Sequence, residues 1–225
     1  EKTMYATNVE GTCNLIKLIA NTKASYFCHL SSAGVIGPTS IPFVTETTPC
    51  NPNNLYEKTK YEAEMLVSRA KLDMNICILR PTNVVSHSKP GVLLLPINNS
   101  WSDIIKVYIK GNEKAHIVHA KDVANAALYF MKIKKTGVNI YLVSCDDDQH
   151  NSILNIYNMY QYICNKKTNI KFSLPIFIPN LLRRIFKGES LHGLVQFSSN
   201  KLKQQGFIFE FNVERCLREI INLRV

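Results

Sequence analysis

Apolar residues recur along the chain with two different spacings. Residues 8–20, NVEGTCNLIKLIA, carry apolar side chains at helical spacing, which predicts a helix. Residues 25–32, SYFCHLSS, form a short apolar run that ends in hydroxyl residues, which is typical of a buried parallel strand leading into a loop. The chain is therefore predicted to begin with a helix followed by a strand.

A loop and a second helix follow. Residues 33–54 are rich in Gly, Pro, Thr and Asn and predict a long loop, and loops of this length are usually functional. NNLYEKTKYEAEMLV, residues 53–67, predicts a helix that Asn53 or Asn54 caps. Its buried stripe is expected to contain Leu55, Ala63, Leu66 and Val67.

The remaining pattern predicts a parallel sheet. MNICILRP (74–81) and GVNIYLVS (137–144) are buried-strand runs, and residues 115–133 read as a short strand leading into a helix capped by Asp122. Further helices are predicted at 150–166 and 211–225. Strands that alternate with helices indicate an α/β fold.

Composition excludes several classes of protein. No apolar run reaches the ~20 residues that span a bilayer, and the first residues lack a signal peptide's apolar segment. A cytoplasmic location without a membrane anchor is therefore expected, with LLRRIFKGES (181–190) as a solvated helix or part of a substrate-side region. The seven cysteines are scattered, which predicts reduced thiols and no metal site.

The net charge of +10 suggests a phosphate-bearing partner. Basic residues are spread along the chain and no zinc-finger or RNP motif occurs, so no specific nucleic-acid partner is expected. A small nucleotide-bearing substrate would benefit from the same charge.

Three polar clusters follow predicted strands or open the second helix. They are Ser31 with Ser32, Tyr56 with Lys60, and RPTN at 80–83. Ligands of parallel α/β sheets bind beyond the carboxyl ends of the strands, where these clusters fall. Because a tyrosine and a lysine four apart occur in many helices, the pair taken alone favours an ordinary helix opening.

With NVEGT (8–12) and HAKDVA (119–124), the order of these motifs resembles the extended short-chain dehydrogenase/reductase family, which contains NAD-dependent sugar-nucleotide epimerases and dehydratases. The resemblance implies the C-terminal part of a Rossmann-like parallel sheet with a smaller, mostly helical substrate-binding region. Residues 1–85 would form the partial Rossmann-like domain. Residues 86–225 would form the substrate-side region, interleaved with the last Rossmann elements at 115–145.

The resemblance also assigns catalytic roles. Tyr56 would take a proton from a substrate hydroxyl while hydride leaves for NAD or NADP. Lys60 would favour the phenolate and hold the nicotinamide ribose, and Ser32 would bond the reacting oxygen of the substrate.

Further residues match the family less specifically. Asn8 and Pro81 would lie beside the cofactor, and Asn83 would approach the diphosphate of a nucleotide-sugar substrate. Ser31 is expected to be structural. His29 and His119 are expected to be core residues without chemistry, because the sequence places no acid beside them.

Two residues that differ from the family's pattern favour some of its activities over others. Ala33 and Gly34 stand where its dehydratases carry an Asp-Glu pair, so dehydration is disfavoured and a sugar-nucleotide epimerase is expected. The alternatives are an NADP-linked reductase or hydroxysteroid-type dehydrogenase of the same family, and a non-catalytic binding or regulatory protein. A homodimer would be compatible with the family.

No Gly-rich phosphate-binding motif occurs in the sequence. The chain is therefore expected to correspond to the C-terminal part of a longer enzyme, and to be inactive and unable to bind NAD by itself.

Overall fold

The computed structural model describes residues 2–133, 136–167, 170–179, 181 and 193–222. The helices are α1 (Lys2–Tyr5), α2 (Gly11–Ile19), α3 (Leu55–Arg69), α4 (Leu94–Asn98), α5 (Trp101–Lys110), α6 (Ala120–Met131), α7 (Ile153–Ile163), α8 (Asn200–Gln204) and α9 (Val213–Asn222). The strands are β1 (Tyr26–Leu30), β2 (Phe43–Val44), β3 (Asn75–Pro81), β4 (Asn83–Val85), β5 (Ile117–His119), β6 (Gly137–Val143) and β7 (Gln196–Phe197). A π-helical turn, Ala6–Glu10, joins α1 to α2, and 3-10 helices occupy Ala33–Ile36 and Gly91–Leu93.

A three-stranded parallel sheet in the order β1-β3-β6 forms the centre of the fold. Every residue of the central strand β3 is buried, both the apolar run Ile76–Leu79, as the sequence predicts, and the polar residues Asn75 and Arg80. Ile76 and Ile78 pack on the α3 side of the sheet against Val67, whereas Cys77 and Leu79 pack on the α6 side against Phe130. The predicted parallel α/β fold is confirmed.

Two shorter parallel pairs extend this arrangement. β4 pairs with β5, and β2 pairs with β7. A second hydrophobic core lies beneath β4 and β5, where Ile117 packs with residues of α7 and α9, including Ile156, Leu217 and Ile220. Helices α7 and α9 thus pack on the β4–β5 pair.

Most predicted elements are found with shifted ends. The first helical segment starts at Lys2 rather than residue 8, and the last helix covers Val213–Asn222. Residues 33–54 are not a structureless loop, because they contain a 3-10 helix and β2. Helix α5 was not predicted, although Ser100 caps it by accepting a hydrogen bond from Asp103 N.

Two predicted capping or packing roles are wrong. His119, not Asp122, caps α6, since its ring accepts a hydrogen bond from Lys121 N. The Asp122 carboxylate instead accepts the backbone N–H groups of Glu210 and Phe211, at 2.8 and 3.0 Å. Leu55, predicted to be buried in the stripe of α3, is exposed.

All seven cysteines are free, and Cys77 is fully buried in the core. Within the described part of the chain, no group of His, Cys, Asp and Glu could hold a metal ion. No described helix is both long and apolar enough to cross a bilayer. LLRRIFKGES (181–190) lies outside the described residues except for Leu181, which is exposed.

Candidate active site

Helix α3 brings Tyr56 to the surface of the molecule. Asn54 caps the helix by accepting a hydrogen bond from Glu57 N at 2.9 Å, and the Glu57 carboxylate accepts the N–H groups of Asn53 and Asn54 in return. Tyr56 lies in the first turn and is 46% exposed. The ordinary helix opening is therefore present, and it holds the tyrosine where a ligand can reach it.

The segment after β1 fixes Ser32. Ser31 N donates to Leu79 O at 2.8 Å, and Ser32 Oγ then accepts a hydrogen bond from Gly34 N at 3.1 Å, capping the 3-10 helix. Gly37 ends this helix with a φ of +65°, and a Cβ there would lie 1.8 Å from Asn51 O. Only glycine fits at this position, so the turn holds residues 32–36 firmly beside residue 51.

A pocket of about 600 Å³ lies at the carboxyl end of the sheet. Four predicted site residues from three different segments line it: Ser32, Tyr56, Pro81 and Asn83. Other residues at the pocket include Gly34, Gly37, Glu57, Thr82, His116, Val195 and Phe197. The structure therefore brings together residues that are 51 positions apart in the sequence, at the place that the strand order favours for a ligand.

Lys60 lies one turn beyond Tyr56 and does not line this pocket. Its ammonium donates a hydrogen bond to Leu30 O, at the end of β1. Burial lowers the pKa of Lys60 below its ordinary value, while the neighbouring Glu64 carboxylate acts to raise it. The ammonium has three donors, so the bond to Leu30 O leaves capacity for other partners.

Asn8 also lies outside the pocket lining. Its Nδ2 donates to Thr59 Oγ1 at 3.0 Å, and the Thr59 hydroxyl donates to Tyr56 O at 3.0 Å. Asn8 thus connects the first helical segment to the turn of α3 that carries Tyr56.

Asn83 occupies the first position of β4 and is exposed. Its Nδ2 donates to Ala115 O at 2.8 Å, and its backbone N–H donates to His116 O at 2.8 Å. One N–H of the Asn83 amide is therefore committed to the β5 side of the pocket.

A buried ion pair beside the pocket was not predicted. Arg80 Nη2 lies 2.5 Å from Glu64 Oε1 and Arg80 Nε lies 3.1 Å from Glu64 Oε2, with both side chains almost completely buried. Ser31 Oγ donates to Glu64 Oε2 at 2.6 Å, which confirms the structural role expected of Ser31. The sequence carried a signal for this ion pair, because Glu64 is an acid that lies between the apolar stripe residues Ala63 and Val67 of α3.

The two histidines differ from expectation in one respect. His29 is buried, and its pKa is lowered to about 4, mainly by burial and also by the charge of Lys60. His119 is also buried and stacks on Phe211, but its Nε2 lies 2.8 Å from Glu219 Oε2. The prediction that His119 has no acidic neighbour is wrong, because the acid comes from α9, a hundred residues later.

Gly11, the first residue of α2, is not crowded. A Cβ there would meet Ala6 O at 3.5 Å, an ordinary contact.

A second pocket, of about 690 Å³, contains none of the predicted site residues and is lined by Cys145, Asp147, Asp148, Gln149, His150, Lys203, Phe207, Ile208, Phe209, Phe211 and Asn212.

A parallel sheet with a hydroxyl-lined pocket at the carboxyl ends of its strands is the arrangement of a Rossmann-like α/β protein. The sequence profile of the NAD dependent epimerase/dehydratase family matches residues 1–144. The chain belongs to this family, which confirms the resemblance to extended short-chain dehydrogenases/reductases.

Individual relatives agree with this assignment. The chain is 33% identical over 116 residues to a UDP-glucose 4-epimerase of Lactobacillus helveticus, covering 49% of this chain and 35% of that protein. It is 29% identical over 136 residues to protein y4nG of Sinorhizobium fredii, covering 58% and 34%. The matched part thus spans about a third of the length of both relatives.

The fold has matches among solved structures. RMD from Pseudomonas aeruginosa, complexed with NADPH, superposes with a TM-score of 0.70 at 19% identity, covering 98% of this chain and 75% of that one. At this identity the match demonstrates the shared fold.

Proposed function

We propose that the protein containing this chain is an NAD(P)-dependent epimerase of a nucleotide sugar, with Ser32, Tyr56 and Lys60 as its catalytic residues. The observation that carries the proposal is the common pocket of Ser32, Tyr56, Pro81 and Asn83. The membership of the family and the similarity to a UDP-glucose 4-epimerase support it.

Tyr56 is the candidate general acid and base. Its phenol reaches the pocket from an exposed position, where it can take a proton from a substrate hydroxyl and return it. Lys60, one turn further along the same helix, completes the catalytic set that we assign. Ser32, whose Oγ accepts one hydrogen bond from Gly34 N, still has its own O–H to donate to the substrate oxygen.

The residues of the pocket fit a nicotinamide cofactor. Its volume of about 600 Å³ is typical of a ligand site, and it offers hydroxyl and amide groups beside the small surfaces of Gly34 and Gly37. Tyr56 and Pro81 line the pocket and are the residues that we assign to holding it, whereas Lys60 and Asn8, which the family resemblance also assigns, lie outside the lining. Bound NAD or NADP would accept hydride from the substrate carbon and return it.

Local geometry argues against the dehydratase branch. Ala33 and Gly34 carry no acid, and a Cβ at Gly34 would lie 3.2 Å from Ser32 Oγ and 3.3 Å from Glu57 Cγ. Among the described residues that line the pocket, Glu57 is the single acid, and its carboxylate is bonded to the backbone N–H groups that open α3. An elimination that needs a paired acid and base therefore has no second carboxylate here.

The substitution Tyr56→Phe tests this function in the gene product that contains the chain. With UDP-glucose and NAD as probes, we expect kcat for formation of UDP-galactose to fall by about 100-fold or more, which is the usual contribution of a general acid or base. Affinity for NAD, measured by calorimetry, should change little because the aromatic ring remains.

Tyr61→Phe is the matched control, since Tyr61 lies on the same helix but does not line the pocket. A near-normal rate in the Tyr56→Phe enzyme would contradict the catalytic role. Release of a reduced or oxidised sugar instead of an epimer would identify the protein as a reductase or dehydrogenase.

A further inference from the structure

The fully buried carboxylate of Asp146 contacts two residues that line the candidate pocket. Asp146 Oδ2 lies 2.6 Å from His116 Nδ1 and accepts the backbone N–H of Phe197 at 2.9 Å. The Nδ2 of Asn151, also fully buried, lies 3.4 Å from Asp146 Oδ1. His116 and Phe197 both line the pocket that contains Ser32 and Tyr56. Asp146 does not line the pocket, but its carboxylate contacts both of these residues.

The backbone of His116 is strained, and contacts hold its ring in place. The residue has a φ of +54°, a left-handed conformation that costs a non-glycine residue about 1–2 kcal/mol and is kept where surrounding contacts enforce it. Its carbonyl accepts a hydrogen bond from Asn83 N, and its ring packs edge to face on Phe197 at 5.2 Å. Strain of this kind is concentrated at ligand sites.

His116 therefore lies beside Asn83, on the part of the pocket that β4, β5 and β7 supply. We propose that His116, positioned by Asp146, is a specificity-determining residue of this pocket whose imidazole ring contacts the nucleotide-sugar substrate. This inference rests on the proposed function. Asp146 itself does not line the pocket and acts as a positioning residue through His116 and Phe197.

Two substitutions test the proposal. His116→Asn removes the ring but keeps a residue that tolerates positive φ, and Asp146→Asn removes the charge that holds the ring. For both variants we expect the Kd of UDP-glucose, measured by calorimetry, to rise at least tenfold. The KM should rise in parallel while kcat stays within about threefold, because neither residue belongs to the proton-transferring set.

The chain provides matched controls for both changes. His150 is paired with Asp148 at 3.2 Å but lies outside this pocket, so His150→Asn should leave the Kd unchanged. Asp122 is a buried carboxylate that accepts two backbone N–H groups away from the pocket, so Asp122→Asn should lower Tm without changing the Kd. A purely structural role of Asp146 would reproduce the Asp122 result.

A Kd in His116→Asn within twofold of the wild type overturns the inference, and so does failure of the wild type to bind UDP-glucose. Should His116→Asn fail to fold, an unchanged Kd in Asp146→Asn has the same meaning. Binding of UDP-glucose without turnover would refute the proposed epimerase activity but not this inference, because the ratio of the Kd values still decides it.

Discussion

The buried ion pair between Glu64 and Arg80 allows a quantitative test of how α3 is held against the sheet. Arg80→Met removes the guanidinium and leaves the Glu64 carboxylate in a site with no exposure to solvent. Removing one partner of a buried pair costs about 3–5 kcal/mol, because the remaining charge is desolvated and unpaired. Here Ser31 Oγ remains as a donor at 2.6 Å, which favours the lower part of that range.

The assay is equilibrium unfolding in urea, with the free energy of unfolding compared between variants. Glu64→Leu combined with Arg80→Met should recover much of the loss, because an apolar pair of similar volume needs no charge compensation. Arg218→Met is the control: its partner Glu214 lies 2.7 Å away, but both side chains are about half exposed, so we expect a cost of only about 0.3–0.5 kcal/mol.

A cost below about 1 kcal/mol for Arg80→Met would refute the argument, since it would mean that the Glu64 charge is already accessible to water. Equal losses in the single and double variants would also refute it, because they would assign the effect to packing rather than to charge.

Two further predictions concern the backbone and the pH dependence of stability. Gly37→Ala should lower the free energy of unfolding by more than about 1 kcal/mol, and by more than the control Gly137→Ala. Both glycines have a positive φ, but only at Gly37 would an added Cβ meet backbone, at 1.8 Å from Asn51 O. Equal losses for the two variants in urea titrations would contradict this prediction. The pKa of His29 is lowered from 6.5 to about 4 in the folded protein, so the stability that it contributes is complete above pH 6.5 and is lost as the pH falls from 6.5 towards 4. The variant His29→Leu should therefore lose less stability over that interval, and an identical pH profile in both proteins would show that His29 is not buried in its neutral form.

The elements that the sequence predicts well are those whose signal is local. β3 contains the apolar run Ile76–Leu79 and ends at a proline, and α3 opens with a complete set of capping residues, so both signals lie in neighbouring residues. The clusters that line the pocket could be predicted for a similar reason, because each one directly follows a strand or opens a helix.

Features that depend on distant partners could not be predicted. β2 has only two residues and no periodic pattern, and its partner β7 comes about 150 positions later. The contact of His119 with Glu219 and the contact of His116 with Asp146 likewise join segments that only the folded chain brings together.

The pairing of β2 with β7 has a consequence for synthesis of the protein. Val44, which is completely buried, packs in a small core with Leu142 and Val195, and its strand hydrogen bonds to residues 196–198. On the ribosome, where about 5–20 residues are added per second, β2 emerges about 8–30 s before its partner strand. β2 therefore stays unpaired on the nascent chain for that interval, and residues 33–54 reach their final packing only late in synthesis.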